Sequence, residues 1–420
     1  MHMRQSKKTG MGMLGAALLL FCCGMLNEVH ARLGVLEVLG SEFFTCDHFS
    51  NNLWGMHDLL KERYGLTFET VYLQDFFWNT RGGITTHDSG EYPRLIGFYF
   101  ELDTEKAGLW RSGTLFASFE IARGHSPTER TVGDYQWLSN IDGENINQIS
   151  ELWYRHSFFD DRLWVKLGKM EANYDFSYIE YGLEFINSSA SYGLTIPMVT
   201  YPDQDWGIVV GTRPAQWFSM NLGAYQGDIN GSRSVGHTLK NLRGPMLMVE
   251  PTFHYTIAGH PGSLKIGAWW NGRMFEAYHE HRSRHRFHGK SAGWYVTWEQ
   301  LLWRENPESK GCEQGIGFFA QYGWAPKDRS EVEDFLGGGI QWTGALPGRD
   351  DDVLGLGAFT VYFSDKAGFE KSYETAVEFF YKAQVFGWMA LKPDIQYIKN
   401  PGGTNNRSAV ALGGRLEIVF

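Results

Sequence analysis

From residue 66 to residue 420 the chain repeats one device: a run whose side chains alternate between apolar and polar, then a break, then another run. Alternation with period two sends successive side chains to opposite faces of an extended chain, so each run predicts a strand with one apolar and one polar face. In ELWYRHSF, Leu152, Tyr154, His156 and Phe158 alternate with Glu151, Trp153, Arg155 and Ser157. In RLWVKLGK, Leu163, Val165 and Leu167 alternate with Arg162, Trp164, Lys166 and Gly168. SLKIGAWWNG sets Leu264, Ile266, Ala268 and Trp270 against Lys265, Gly267, Trp269 and Asn271. SYETAVEFFYKAQV sets Val377, Phe379 and Tyr381 against Glu374, Glu378 and Lys382. The last run does not fray: Leu412, Leu416, Ile418 and Phe420 alternate with Arg415 and Glu417 up to the final residue.

Sixteen strands are predicted, over 66–78, 92–103, 113–123, 148–158, 162–170, 204–213, 216–227, 245–257, 263–274, 289–303, 314–324, 336–344, 353–364, 372–385, 387–398 and 408–420. The connections at one end are mostly short, as at 159–161 and 214–215, and those at the other are mostly long and polar, as at 124–147 and 171–203. A secreted sandwich has no use for that asymmetry. A transmembrane β-barrel does: short turns on the periplasmic side, longer loops outside, and an even strand number. In lipid an open sheet edge leaves backbone groups unsatisfied, so the last strand must close on the first. The expected fold is all-β, a sixteen-stranded antiparallel transmembrane barrel with a water-filled lumen.

Composition agrees. Aromatics are 15 % of the 420 residues and glycine supplies 50 of them, yet mean hydropathy is only −0.32. After residue 25 no apolar run is long enough for a membrane helix. The formal charge of −10 argues against a nucleic-acid partner. At the start, Arg4, Lys7 and Lys8 precede the apolar run MGMLGAALLLFCCGM, and Val29 and Ala31 stand ahead of a cleavage point. Residues 1–31 therefore read as a secretory signal peptide cut after Ala31, with a lipoprotein acceptor at Cys22 or Cys23 as the weaker reading. Residues 32–65 read as a periplasmic segment with one short helix in NNLWGMHDLLKERYG, ahead of the barrel at 66–420. Cys46 and Cys312 either pair in an oxidising compartment or stay as two free thiols.

Several stretches, in order, resemble the carbohydrate-selective (OprB-like) porin family of Gram-negative outer membranes. They are NNLWGMHDLLKERYGLTFETVYLQDFFWNTRGG, LDTEKAGLWRSGTLFASF, ISELWYRHSFFDDRLWVKLGKMEANYDFSY, and the end LKPDIQYIKNPGGTNNRSAVALGGRLEIVF. The resemblance implies passive, facilitated diffusion of mono- or small oligosaccharides, and no cofactor. It also implies that a terminal aromatic, Phe420, is read by the outer-membrane assembly machinery. Expected partners are outer-membrane lipid, lipopolysaccharide and sugars; monomer and homotrimer both remain open. The alternatives are a non-specific porin for small polar solutes and a polysaccharide-binding or hydrolytic barrel. No serine motif supports the hydrolase, and residues 32–65 are too few for a receptor's plug domain.

Sugar hydroxyls need hydrogen-bonding partners and their C–H faces stack on aromatic rings, with contacts weak enough to release the solute. The candidate path residues on the inward faces are Trp153, Arg155, Trp164, Lys166, Lys265, Trp269, Glu374, Glu378, Lys382, Asp394, Gln396, Arg415 and Glu417. Their mixed signs suit uncharged solutes. The longest loop, 171–203, holds Tyr174, Phe176, Tyr178, Tyr181, Phe185 and Tyr192. So many aromatics in bulk water would be costly, which favours a loop folded inward over a lid. Its constriction candidates are Asp175, Tyr178, Glu180, Tyr181 and Glu184. In YHEHRSRHRFH, the arginines beside His279, His281, His285 and His288 oppose a metal and favour a basic surface patch facing lipopolysaccharide phosphates. No metal site is assigned.

Overall fold

The computed structural model describes residues 51–143, 145–227, 244–276, 278, 288–305 and 314–420. Every predicted run carries a strand. In chain order these are β1 (Leu66–Arg81), β2 (Arg94–Asp103), β3 (Gly113–Arg123), β4 (Ile146–Phe158), β5 (Leu163–Met170), β6 (Asp205–Ala215), β7 (Phe218–Gln226) and β8 (Pro245–Ile257). They continue as β9 (His260–Glu276), β10 (His288–Arg304), β11 (Gly315–Trp324), β12 (Val332–Thr343), β13 (Val353–Phe363), β14 (Tyr373–Phe386), β15 (Met389–Lys399) and β16 (Ala409–Val419). A two-residue strand, Gly90–Glu91, adds to the outer end of β1. Helix α1 (Asn51–Tyr64) precedes the barrel. Among the described residues no helix is long and apolar enough to cross a membrane. The signal-peptide, Cys46, Cys312, His279, His281 and His285 expectations fall outside the described residues.

Each strand pairs antiparallel with its chain neighbours, and β16 pairs back onto β1 from Val71 with Val419 to Arg81 with Val410. Closure runs to the last residue, where the Phe420 amide donates to the Thr70 carbonyl at 2.8 Å. Among the described residues no long strand is left as an edge, as hydrocarbon requires. The hairpins follow local turn chemistry. Ile257 pairs with His260 across Ala258 and Gly259, both at positive φ (53° and 84°), as a two-residue turn matched to strand twist demands.

Alternation sorts the faces. On β15, Ala390, Lys392, Asp394, Gln396 and Ile398 are buried inside, while Leu391, Ile395 and Tyr397 are exposed to the surroundings. Aromatic girdles mark the two ends of the apolar band. Trp110 lies against Tyr154 near the short turns, and Phe76 and Trp78 lie against Tyr92 near the long loops.

Two expectations are corrected. The strand expected at 336–344 begins at Val332, because a register shift between Val332 and Asp334 breaks the alternation there. The inward face is also not polar throughout. Phe319, Phe335, Phe359 and Phe380 all point inward and are fully buried, because loop side chains pack on them.

Candidate functional site

The segment after β5 explains the inward phenylalanines. Residues 171–204 form three short 3-10 turns, at Ala172–Tyr174, Glu180–Gly182 and Ser188–Ala190, and enter the barrel. Phe185 is fully buried with its ring edge-on to Phe319 at 5.6 Å, Phe359 at 5.9 Å and Phe380 at 5.0 Å. Phe176, Ile196, Met198 and Val199 pack on Tyr225, Met246, Met248, Trp269 and Tyr295 from the neighbouring arc of wall. Close approach needs missing side chains. A Cβ on Gly317 would sit 2.2 Å from the Tyr181 ring, and one on Gly223 would sit 2.7 Å from Phe176. Glycine within a strand is tolerated where another group must come this near.

A buried loop must satisfy its own amides. Wall carboxylates do this from successive arcs. Glu250 on β8 accepts from the Ser177 amide at 2.6 Å. Glu299 on β10 accepts from the Glu180 amide at 2.6 Å and the Tyr181 amide at 3.2 Å. Glu378 on β14 accepts from the amides of Ile186 and Asn187 at 2.6 and 2.9 Å. Charge-assisted bonds to paired backbone amides are among the strong ones.

Cations complete the clamp. Lys166 reaches Asp175 at 2.6 Å. Lys265 donates to the Tyr178 carbonyl and lies 3.2 Å from Glu299. Lys382 and Lys392 both reach Glu184 at 2.8 Å, and both also contact Glu417, at 3.3 and 2.9 Å. Burial alone would raise the Glu184 carboxyl, but Lys392 and Lys382 outweigh it and hold the group below its ordinary range. Lys392 went unremarked in the sequence, although it shares the inward parity of Asp394 and Gln396.

A second loop, 124–145, also enters, and nothing in its composition distinguished it. Its anchor is Glu374, which accepts from the amides of Tyr135 at 2.8 Å and Gln136 at 3.0 Å. Arg415 makes a two-pronged bond to Asp75, at 2.6 and 2.8 Å, and donates to the Asn140 side chain at 2.7 Å. Gln396 donates to the Leu138 carbonyl at 2.8 Å and accepts from the Asn187 side chain at 3.0 Å, so it touches both loops. Asp394 sits beside it, accepting from Gln396 at 3.2 Å. The loops also bond each other, Asn140 amide to Ile186 carbonyl at 2.8 Å and Ser188 amide to Trp137 carbonyl at 3.1 Å.

The remaining path candidates form an interleaved stack on β4 and β5. The Arg155 guanidinium lies 4.8 Å over the Trp164 ring, and the Lys166 ammonium lies 4.9 Å over the Trp153 ring. Phe116 stacks on the other side of Trp153 at 4.8 Å. The Arg155 side chain keeps 38 % of its surface open. Trp269, by contrast, is 3 % exposed and belongs to the packed cluster under the loop. The loop candidate Glu180 keeps its side chain exposed, and Tyr178 and Tyr181 are half-buried. The inward-facing set therefore divides. Glu374, Glu378, Gln396 and Arg415 hold loops, Trp164 packs half-buried against the cluster under loop 171–203, and Arg155 stays partly open.

A closed sixteen-stranded barrel with a lipid-facing apolar band and loops folded into its lumen defines an outer-membrane channel of the porin class. A model of the family described as "Carbohydrate-selective porin, OprB family" matches residues 88–420. The chain belongs to that family, and is an outer-membrane carbohydrate porin of Gram-negative cells. Porin B of Pseudomonas aeruginosa is 22 % identical over 440 aligned residues, covering 91 % of this chain and 95 % of the relative. The high-pH structure of Pseudomonas putida OprB superposes with a TM-score of 0.79 at 19 % identity, covering 90 % of this chain and 99 % of that one. The low-pH structure of the same protein, at 16 % identity and the same coverage, gives 0.58. At these identities the solved structures speak for the fold.

Proposed function

We propose that the channel passes uncharged mono- and small oligosaccharides one at a time, by facilitated diffusion through the part of the lumen that loop 171–203 leaves open. The observation that carries this is charge compensation. Lys166 with Asp175, Lys265 with Glu299, Lys382 and Lys392 with Glu184 and Glu417, and Arg415 with Asp75 each close locally. Where the wall charges cancel in pairs like these, they offer little field to sort ions by sign. The lumen retains donors, acceptors and rings that a neutral sugar can exchange for its water.

Trp153, Arg155 and Trp164 supply the sugar-contacting wall in this reading. Asp175, Tyr178, Glu180, Tyr181 and Glu184 belong to the constriction, and Lys265, Trp269, Glu374, Glu378, Asp394, Gln396 and Arg415 hold the loops that shape it. The protein acts as a channel and not as a hydrolase. The test is conductance in planar bilayers with glucose or a disaccharide titrated in. Concentration-dependent block supports the reading, and Arg155→Ala should weaken it several-fold. Conductance that no sugar reduces would favour the non-specific porin.

The mature chain starts after Ala31 in this account, which the amino-terminal mass of outer-membrane protein would check. Phe420 serves assembly: its deletion should lower barrel yield far more than it alters the conductance of whatever inserts. A closed barrel needs no partner, so monomer and homotrimer are separated by the mass of the detergent-solubilised protein.

A further inference from the structure

The outward face of β2 and β3 carries three registered pairs. From mid-strand toward the long loops, Phe98 stands opposite Phe119, Ile96 opposite Ile121, and Arg94 opposite Arg123. The first two pairs belong to the apolar band, with the Phe98 and Phe119 rings 6.4 Å apart. The third stands where the band ends, just after Tyr92, the ring that packs against Phe76 and Trp78 in the outer girdle. Like charges directly opposite each other on neighbouring strands repel. The arginine pair therefore stands at a cost that an anion between the two guanidinium groups removes.

Among the described residues nothing neutralises the pair. Arg123 donates through Nη1 to the carbonyls of Ala122 and Ile146, both at 2.7 Å, and through Nη2 to the Asn147 side chain at 2.8 Å. These neutral acceptors fix the guanidinium and leave its Nε–H without a partner among the described residues. Arg94 is exposed, and neither arginine has a described carboxylate within ion-pair distance. The residue in register with Arg94 on β1 is Gln74, whose amide is spent on the carbonyls of Tyr92 and Pro93 at 3.2 and 3.0 Å. The carboxylates nearest along the chain are turned inward and taken: Glu91 lies 3.0 Å from Arg130, and Glu120 accepts from the Ser150 hydroxyl.

We propose that Arg94 and Arg123 together bind a phosphate group of an outer-leaflet glycolipid, whose acyl chains lie over the Ile96–Ile121 and Phe98–Phe119 pairs. Arginine forks match phosphate oxygens in two-pronged bonds. The Cβ atoms of directly opposed residues stand about 5 Å apart, so two guanidinium groups close on one phosphate. The long loops put this end of β2 and β3 at the outer leaflet, where the lipid A of lipopolysaccharide carries phosphate. Free phosphate offers the same oxygens but nothing for the isoleucines and phenylalanines beneath. The site lies on the barrel wall, apart from the basic loop around His279 to His288, and the inference is independent of what passes through the lumen.

The test is native mass spectrometry of the full-length barrel in detergent, with lipid A, lipid A stripped of its phosphates, and inorganic phosphate added in separate arms. Wild type should hold lipid A about tenfold more tightly than the stripped lipid, and should not hold inorganic phosphate at the same concentration. Arg94→Gln with Arg123→Gln should bring lipid A down to the level of the stripped lipid. Arg94→Lys with Arg123→Lys keeps both charges but loses the forks, so it should fall between the two. Arg111→Gln, which removes an exposed arginine at the other end of the same hairpin, should change nothing. Open-channel conductance should stay at the wild-type value throughout, because neither Arg94 nor Arg123 faces the lumen. Equal binding of the two lipids by wild type would overturn the site, and that comparison needs no variant to fold. So would lipid A binding that the glutamine pair leaves intact, or inorganic phosphate held as tightly as lipid A, which marks an anion site with no lipid in it.

Discussion

Two loops enter this barrel, and they are held differently. Loop 171–203 is clamped around much of the wall, by Glu250, Glu299 and Glu378 through its amides and by Lys166, Lys265, Lys382 and Lys392 through its carboxylates and a carbonyl. Between those anchors it buries Phe176 and Phe185 completely. Loop 124–145 hangs chiefly from one sector, through Glu374, Arg415 and Gln396, and it lines a cavity of about 1200 Å³, with Asp134 and Asp142 buried in that wall. Distributed, compensated anchoring suits a fixed constriction. Anchoring from one sector, with carboxyls that titrate near neutrality, suits a mouth whose docking changes with conditions.

The comparison breaks most readily at Glu378. Replacing it with alanine strands the Ile186 and Asn187 amides in a buried site, at a cost of about 3 kcal/mol or more. Loop 171–203 should loosen, with single-channel conductance rising several-fold and sugar block weakening. Phe185→Ala comes next: it removes the ring that three wall phenylalanines surround, which costs about 3 kcal/mol with the cavity left behind. Noisier conductance and a lower melting temperature are expected, with the polar anchors still in place. If either variant conducts like wild type, the loop is not the constriction.

Glu374→Ala should separate the loops. It frees the Tyr135 and Gln136 amides without touching the amides that Glu378 holds. Hydrogen exchange should therefore rise across 126–142 and change little across 176–187. Equal loss of protection in both segments would show that they are one unit.

The smallest effect is the one with pH. Burial, reinforced by Glu374, pushes the Asp134 carboxyl up to about 7, and burial pushes Asp142 up to about 7, with Asp134 and Glu129 adding to it. A raised carboxyl favours the docked, protonated state. Its contribution is fully present below the ordinary value of 3.8 and is lost as pH rises through about 7. Exchange in 126–142 should be slower at acid pH than at alkaline pH after correction for intrinsic rates. Asp142→Asn should flatten that dependence, and an unchanged slope would exclude Asp142 as a source.

Most of the barrel was legible in the sequence because alternation is local. Each strand announces itself within its own dozen residues, and loop lengths then orient the whole. What went unread depends on residues far apart in the chain. Asp75 and Arg415 meet only because the barrel closes, and Glu250 and Glu299 matter only because a loop reaches them. One signal was present and unused. Phe319, Phe335, Phe359 and Phe380 all stand at inward parity, and rings on a face meant for water imply that something covers them. Loop 124–145 offered no such clue, since its anchor Glu374 reads as one more polar wall residue.

The central claim is that wall carboxylates hold loop 171–203 across the lumen and so set both its width and its grip on sugar. Single-channel recording of Glu299→Ala with Glu378→Ala, with glucose titrated in, tests it most directly. The account predicts a several-fold larger conductance that glucose no longer reduces. A correctly inserted double variant with wild-type conductance and wild-type glucose block would contradict it.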